Sequence, residues 1–121
     1  MTLFEPPAPD EAFGPYIQRA RRARGRTQRE LAGALGIDFT YLSKLENRHG
    51  EMPGEDTIRG LASELEIDPE VLLALAGKVP PEIRQLAQDD FEFAKFLRRI
   101  PAMGPDERRQ MYEFPRPRRR A

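Results

Sequence analysis

The sequence predicts an all-α fold: a domain of five short helices followed by a short helical extension. Three observations carry that expectation. Apolar residues recur at helical spacing in successive short segments, most of them opened or closed by a recognisable cap. No segment alternates apolar and polar residues well enough to make a convincing strand. Proline is absent between Pro15 and Pro53, where the first of these helical patterns lie, and clusters at the boundaries.

Residues 1–12 contain Pro6, Pro7 and Pro9 and read as an extended, mobile arm. A first helix is expected from Pro15 to Arg24, because proline at the first helical position lacks an N–H that would have no partner there. Phe13, Ile17 and Ala20 face inward, and Gly25 ends it. In Thr27-Gln28-Arg29-Glu30 the threonine hydroxyl can satisfy a helix N–H while the glutamate reaches back, a capping box. It opens a second helix with Leu31, Ala32 and Leu35 inward, stopped by Gly36. Asp38 is a good N-cap for a third helix, in which Leu42 and Leu45 repeat at helical spacing. Pro53-Gly54 introduces a fourth, with Ile58, Leu61, Ala62 and Leu65 on one face. Asp68-Pro69-Glu70 supplies the N-cap, first-position proline and first-turn acid of a fifth, which carries Val71, Leu72 and Leu75 to Gly77. The domain thus spans 13–78. In the extension, 79–114, Ile83, Leu86 and Ala87 suggest one short helix, Phe91 to Ile100 is the most aromatic stretch, and another helix starts at Pro105. Residues 115–121 read as a disordered basic tail.

Composition excludes several kinds of chemistry. The 121 residues include no cysteine and one histidine, His49, so a disulfide framework, a zinc–thiolate site, a cysteine nucleophile and a multi-histidine site are all ruled out. No catalytic group, metal or cofactor is expected, and no pair of candidate catalytic residues stands in a recognisable motif. No apolar run approaches a membrane span and no signal peptide opens the chain, so the expectation is a cytoplasmic protein without a membrane partner.

Twenty basic and twenty acidic residues cancel overall but are unevenly placed. From Tyr16 to Gly50, Arg19, Arg21, Arg22, Arg24, Arg26, Arg29, Lys44 and Arg48 outweigh Glu30, Asp38 and Glu46. From Glu51 to Ala76, seven carboxylates stand against Arg59 alone. That division predicts one positive and one negative face, which suits one-sided docking on DNA.

The segment Thr27–Asn47 carries the functional signal. Its two short helices are joined at Gly36-Ile37 by a turn too tight for anything but a steep crossing, with Ala32 small where they approach and Ile37 and Leu42 filling the angle. A rigid brace of this kind holds an exposed helix at one tilt in the major groove. Through Thr27, Gln28, Glu30, Leu31, Ala32, Leu35, Gly36, Ile37, Tyr41, Leu42, Ser43, Leu45, Glu46 and Asn47, the chain resembles the Cro and phage-repressor family of helix-turn-helix regulators. Residues from Thr57 to Leu73 continue the match.

The resemblance implies a lambda-repressor-like domain that binds double-stranded DNA, with Gln28 bonding a phosphate and Phe39, Thr40, Ser43 and Lys44 facing base edges. Tyr41 and Asn47 resemble flanking phosphate contacts, and Arg29, Asp38 and Arg48 complete the candidate interface. Arg21 and Glu46 match a buried structural salt bridge. Phe39 departs from the family pattern, since an aromatic ring donates no hydrogen bond to a base and would meet a thymine methyl or a sugar edge. Gly54 stands where a capping serine is usual. The aromatic stretch either folds back on the fifth helix or forms a homodimer surface, as expected for a repressor binding half-sites about 34 Å apart. The alternative is an antitoxin or protein-interaction module, with a toxin or a regulatory protease as partner and DNA binding serving autoregulation.

Overall fold

The computed structural model describes residues 2–114, so the expected basic tail lies outside the described residues. All regular elements described are helical: α1 Phe13–Ala23, α2 Gln28–Leu35, α3 Phe39–Glu46, α4 Glu55–Leu65, α5 Pro69–Leu75, α6 Pro81–Asp89, α7 Phe91–Arg99, a 3-10 turn Ile100–Ala102 and α8 Pro105–Tyr112. They divide into two compact units, the first ending at Val79 and the second beginning at Pro80.

The first unit is built around one apolar core. Tyr16, Ile17 and Ala20 of α1, Leu31 of α2, Leu42 of α3, Ile58, Leu61, Ala62 and Leu65 of α4, and Leu72 of α5 are wholly buried. Each large aliphatic side chain so buried stabilises the fold by about 1.5–3 kcal/mol relative to exposure. On α5 the inward pair is Leu72 and Leu73, while Val71 and Leu75 remain partly exposed, a correction to the expected stripe. The caps anticipated for α2, α3 and α5 are present. Thr27 and Glu30 close the capping box at 3.0 Å in both directions, and Asp38 and Asp68 accept from Thr40 and Glu70 at 2.7 and 2.9 Å.

Helix α1 opens at Phe13, two residues before the expected start at Pro15. Proline is tolerated as its third residue because no intrahelical acceptor exists for that N–H either. The earlier start buries Phe13 and brings Gly14 against the C-terminal end of α3. A Cβ on Gly14 would stand 2.3 Å from the Leu45 carbonyl oxygen and 2.8 Å from that of Glu46. Only hydrogen fits between the two backbones.

The same crossing is held by a buried ion pair. Arg21 of α1 donates from Nε and Nη2 to both carboxylate oxygens of Glu46 at 2.7 and 3.0 Å, and from Nη1 to the Arg26 carbonyl at 2.8 Å. The Glu46 side chain is completely buried and that of Arg21 nearly so.

Residues 2–12 do not form the mobile arm that their prolines suggest. The Phe4 N–H donates to the Glu66 carbonyl at 2.7 Å, and the Tyr16 hydroxyl donates to the Glu5 carbonyl at 2.7 Å. The Phe4 ring lies 5.7 Å from that of Tyr16, with the Arg19 and Arg24 guanidiniums 4.9 and 5.9 Å from its centroid. Arg19 also pairs with Glu5 and Glu11. Its hydrogen bond pulls the Glu11 carboxyl below the usual carboxylate range. One aromatic anchor and two acids overcome the disorder expected of the composition.

The second unit is a helical hairpin with a third short helix. Asp90 ends α6 and caps α7, accepting from the Phe93 N–H at 3.0 Å. No residue of α6, α7 or α8 is fully buried, and Leu86, Phe91 and Phe96 are 44%, 73% and 36% exposed.

Two stability measurements check this packing. Gly14→Ala is expected to destabilise the fold by about 1–3 kcal/mol through overpacking, whereas Gly33→Ala, in an exposed position of α2, should stabilise it by about 0.5–1 kcal/mol. Equal melting temperatures for the two variants would refute the close approach at Gly14. Glu46→Ala strands a buried guanidinium and should cost about 3–5 kcal/mol in urea unfolding, while the paired change Arg21→Met with Glu46→Leu should cost much less. Equal losses would assign the stability to packing rather than to the pair.

Candidate nucleic-acid interface

The chain between α2 and α3 reverses within three residues. Gly36 takes the left-handed conformation, φ 66°, and the Ile37 N–H bonds back to the Ala32 carbonyl at 3.0 Å. The Gly36 N–H bonds to the Gly33 carbonyl at 3.2 Å, so two of the last carbonyls of α2 are satisfied. Ile37 is half-buried against the core, and Asp38 starts α3 at once. Leu42 and Leu45 turn inward, which leaves Phe39, Thr40, Lys44 and Asn47 exposed and Ser43 half-exposed on the opposite side. The orientation of α3 is set from three directions: the turn, the core, and Glu46 at its C-terminal end.

Gln28 joins that last contact. Its Nε2 donates to Glu46 Oε1 at 2.9 Å, so the buried carboxylate receives hydrogen bonds from both α1 and α2. Because Glu46 can only accept, the amide orientation follows: one N–H and the carbonyl of Gln28 remain available. Glu30 lies in the capping box, and the Thr27 N–H holds its carboxyl below the usual range.

The expected division into a positive and a negative face is altered by pairing. Arg19 holds Glu5 and Glu11, Arg24 holds Glu66 at 3.1 Å and the Leu65 carbonyl at 3.0 Å, and Arg26 holds Glu64 at 3.0 Å. With Arg21 on Glu46, four of the arginines in the basic stretch serve the fold. Among the described residues of that stretch, Arg22, Arg29, Lys44 and Arg48 are exposed and make none of these ion pairs. The positive surface is therefore narrower than the residue count implies.

Part of it is a shallow cleft beside the N-terminal ends of α2 and α3, lined by Gln18, Arg22, Thr27, Gln28, Arg29 and Phe39 among others, none of them acidic. Gln18 and Arg22 stand one helical turn apart on α1. Neither is in the candidate set drawn from the sequence, although that spacing places them on one face. Phe39 is 38% exposed and carries the Arg29 guanidinium 4.6 Å from its ring centroid. The remaining candidates have local duties as well. Asp38 caps α3, the Asn47 side-chain amide donates to the Ser43 carbonyl at 2.9 Å, and Tyr41 is half-buried against the core. Arg48 takes a left-handed conformation, φ 62°, at the end of α3, and His49 follows it as an exposed loop residue. No helix among the described residues is long and apolar enough to cross a membrane.

Comparison with known proteins agrees with this geometry. Residues 17–72 match the family model described as helix-turn-helix. An uncharacterized HTH-type transcriptional regulator, RghRB of Bacillus subtilis (strain 168), is 38% identical over 79 residues, 63% of this chain. The match spans 57% of that relative's length. Among solved structures, SinR, the master regulator for biofilm formation, in complex with DNA is similar at a TM-score of 0.47 and 26% identity, covering 50% of this chain and 97% of that one. The SinR–SinI complex gives a TM-score of 0.46 at 20% identity, covering 84% and 92%. This family is not a class of enzymes. From its braced α2–α3 pair and the match across 17–72, the chain carries a helix-turn-helix segment similar to that of HTH-type transcriptional regulators.

Proposed function

We propose that this protein is a sequence-specific repressor that acts in the cytoplasm as a dimer on a promoter-proximal operator. The observation that carries the reading is the outer face of α3: Phe39, Thr40, Ser43, Lys44 and Asn47 lie on one rigidly braced helix whose far side is core. Gln28, Arg22 and Arg48 flank that face and are suited to phosphate, which would supply most of the affinity and make it fall steeply with salt. The exposed apolar side chains Leu86, Phe91 and Phe96 support dimerisation through the second unit.

The same exposed side chains favour a second reading, in which the principal partner is another protein, a toxin or a regulatory protease, and DNA binding serves autoregulation.

Selection from random duplexes by the full chain at moderate salt tests both. A palindromic motif with half-sites about one helical turn apart is the expected result. A folded protein that enriches no sequence would overturn the repressor reading in favour of the second. On the selected operator, Lys44→Ala should weaken binding by about 1–3 kcal/mol, and an unchanged affinity would remove Lys44 from the interface.

A further inference from the structure

Phe39 and Arg29 look unpromising taken singly. Phe39 is the first residue of α3, on the face assigned to DNA, yet its ring offers no hydrogen bond. Arg29, the second residue of α2, sits among arginines that mostly serve the fold. Arg19, Arg21, Arg24 and Arg26 all hold carboxylates of their own unit, whereas Arg29 is exposed and makes no such pair among the described residues.

Together the two side chains form one device. The guanidinium carbon lies 4.6 Å from the Phe39 ring centroid, inside the range of a cation–π contact. A guanidinium that lays its flat face on a ring keeps its in-plane N–H donors open. Those donors form the fork that matches O6 and N7 of guanine in the major groove. A long side chain already steadied by a ring also loses less freedom on binding than an unsupported one. The cleft beside the pair has no acidic lining that would draw the fork away.

We infer, resting on the DNA-binding reading above, that Arg29 reads a guanine where the N-terminal end of α3 meets the operator, and that Phe39 is its positioning residue. The base reader at this corner comes from α2, with α3 supplying the platform.

The test is random-duplex selection by the full-length protein and the variants Arg29→Ala, Arg29→Lys, Phe39→Leu and Phe39→Tyr, each first checked for an unchanged melting temperature. Wild type is expected to prefer guanine at one base pair of each half-site. Arg29→Ala should reduce that preference by about tenfold to a hundredfold and leave the other positions of the motif intact. Arg29→Lys keeps the charge without the fork and should lose most of the same preference. Phe39→Leu should lose it at the same base pair, and Phe39→Tyr, which keeps the aromatic face, should retain it. Uniform weakening of all sequences by Arg29→Ala would make Arg29 a phosphate contact and overturn the assignment. So would a change at a different base pair with Phe39→Leu. If wild type enriches no sequence, the DNA-binding reading fails and the assignment with it; a wild-type motif untouched by every variant sinks the assignment alone.

Discussion

A single buried carboxylate organises the first unit. Glu46 stands at the last turn of α3 and receives two hydrogen bonds from Arg21 of α1 and one from Gln28 of α2. A carboxylate removed from water is tolerated only when its lone pairs are occupied, so the position of α3 is tied to the positions of both other helices. Gly14 completes the constraint by letting the α1 backbone approach the carbonyls of Leu45 and Glu46. The exposed face of α3 inherits its orientation from these contacts, since rotating or sliding the helix would leave either the carboxylate or the guanidinium unsatisfied. Gln28 links structure to function, because the amide that braces α3 also stands at the edge of the candidate interface with one N–H unspent.

Electrostatics follows from the same folding. An arginine in a basic stretch of sequence is available to a polyanion only if the fold has not already claimed it. Here α1 and the turn after it spend Arg19, Arg21, Arg24 and Arg26 on Glu5, Glu11, Glu46, Glu64 and Glu66, and these pairs also fasten residues 2–12 and the end of α4. Among the described residues of that stretch, Arg22, Arg29, Lys44 and Arg48 remain exposed and outside these pairs. Under the proposed DNA-binding role, a narrow positive patch favours a fixed orientation on the duplex over nonspecific coating. The second unit is organised differently, as a capped hairpin in which Leu86, Phe91 and Phe96 are exposed while Phe93 and Leu97 are half-buried.

The helical class, the five segments of the first unit and most of their caps were legible in the sequence because they rest on local physics. Thr27 with Glu30, Asp38, Gly36 and Asp68-Pro69 act on atoms within four residues of themselves, and the apolar spacing of Leu31, Leu42, Ile58 and Leu65 reports directly which side of each helix is buried. The candidate DNA-facing residues were legible for the same reason, since a helix with Leu42 and Leu45 inward must turn Thr40, Ser43 and Lys44 outward. The Arg21–Glu46 pair was named only through family resemblance, because the two residues lie 25 positions apart and no local rule joins them.

The tertiary structure decided the rest, wherever the outcome depended on partners distant in the chain. Residues 2–12 are docked because Phe4 finds a ring and two guanidiniums contributed by α1, which proline content cannot foretell. Helix α1 begins at Phe13 because the core accepts that ring and the α3 backbone accepts Gly14. Charge counts predicted opposed faces, but ion pairs formed across the fold cancelled much of both. The sequence by itself determined which helices form and which side of each is apolar, since those depend on neighbours along the chain. Which charges remain free, and which ring meets which guanidinium, came only from packing the helices together.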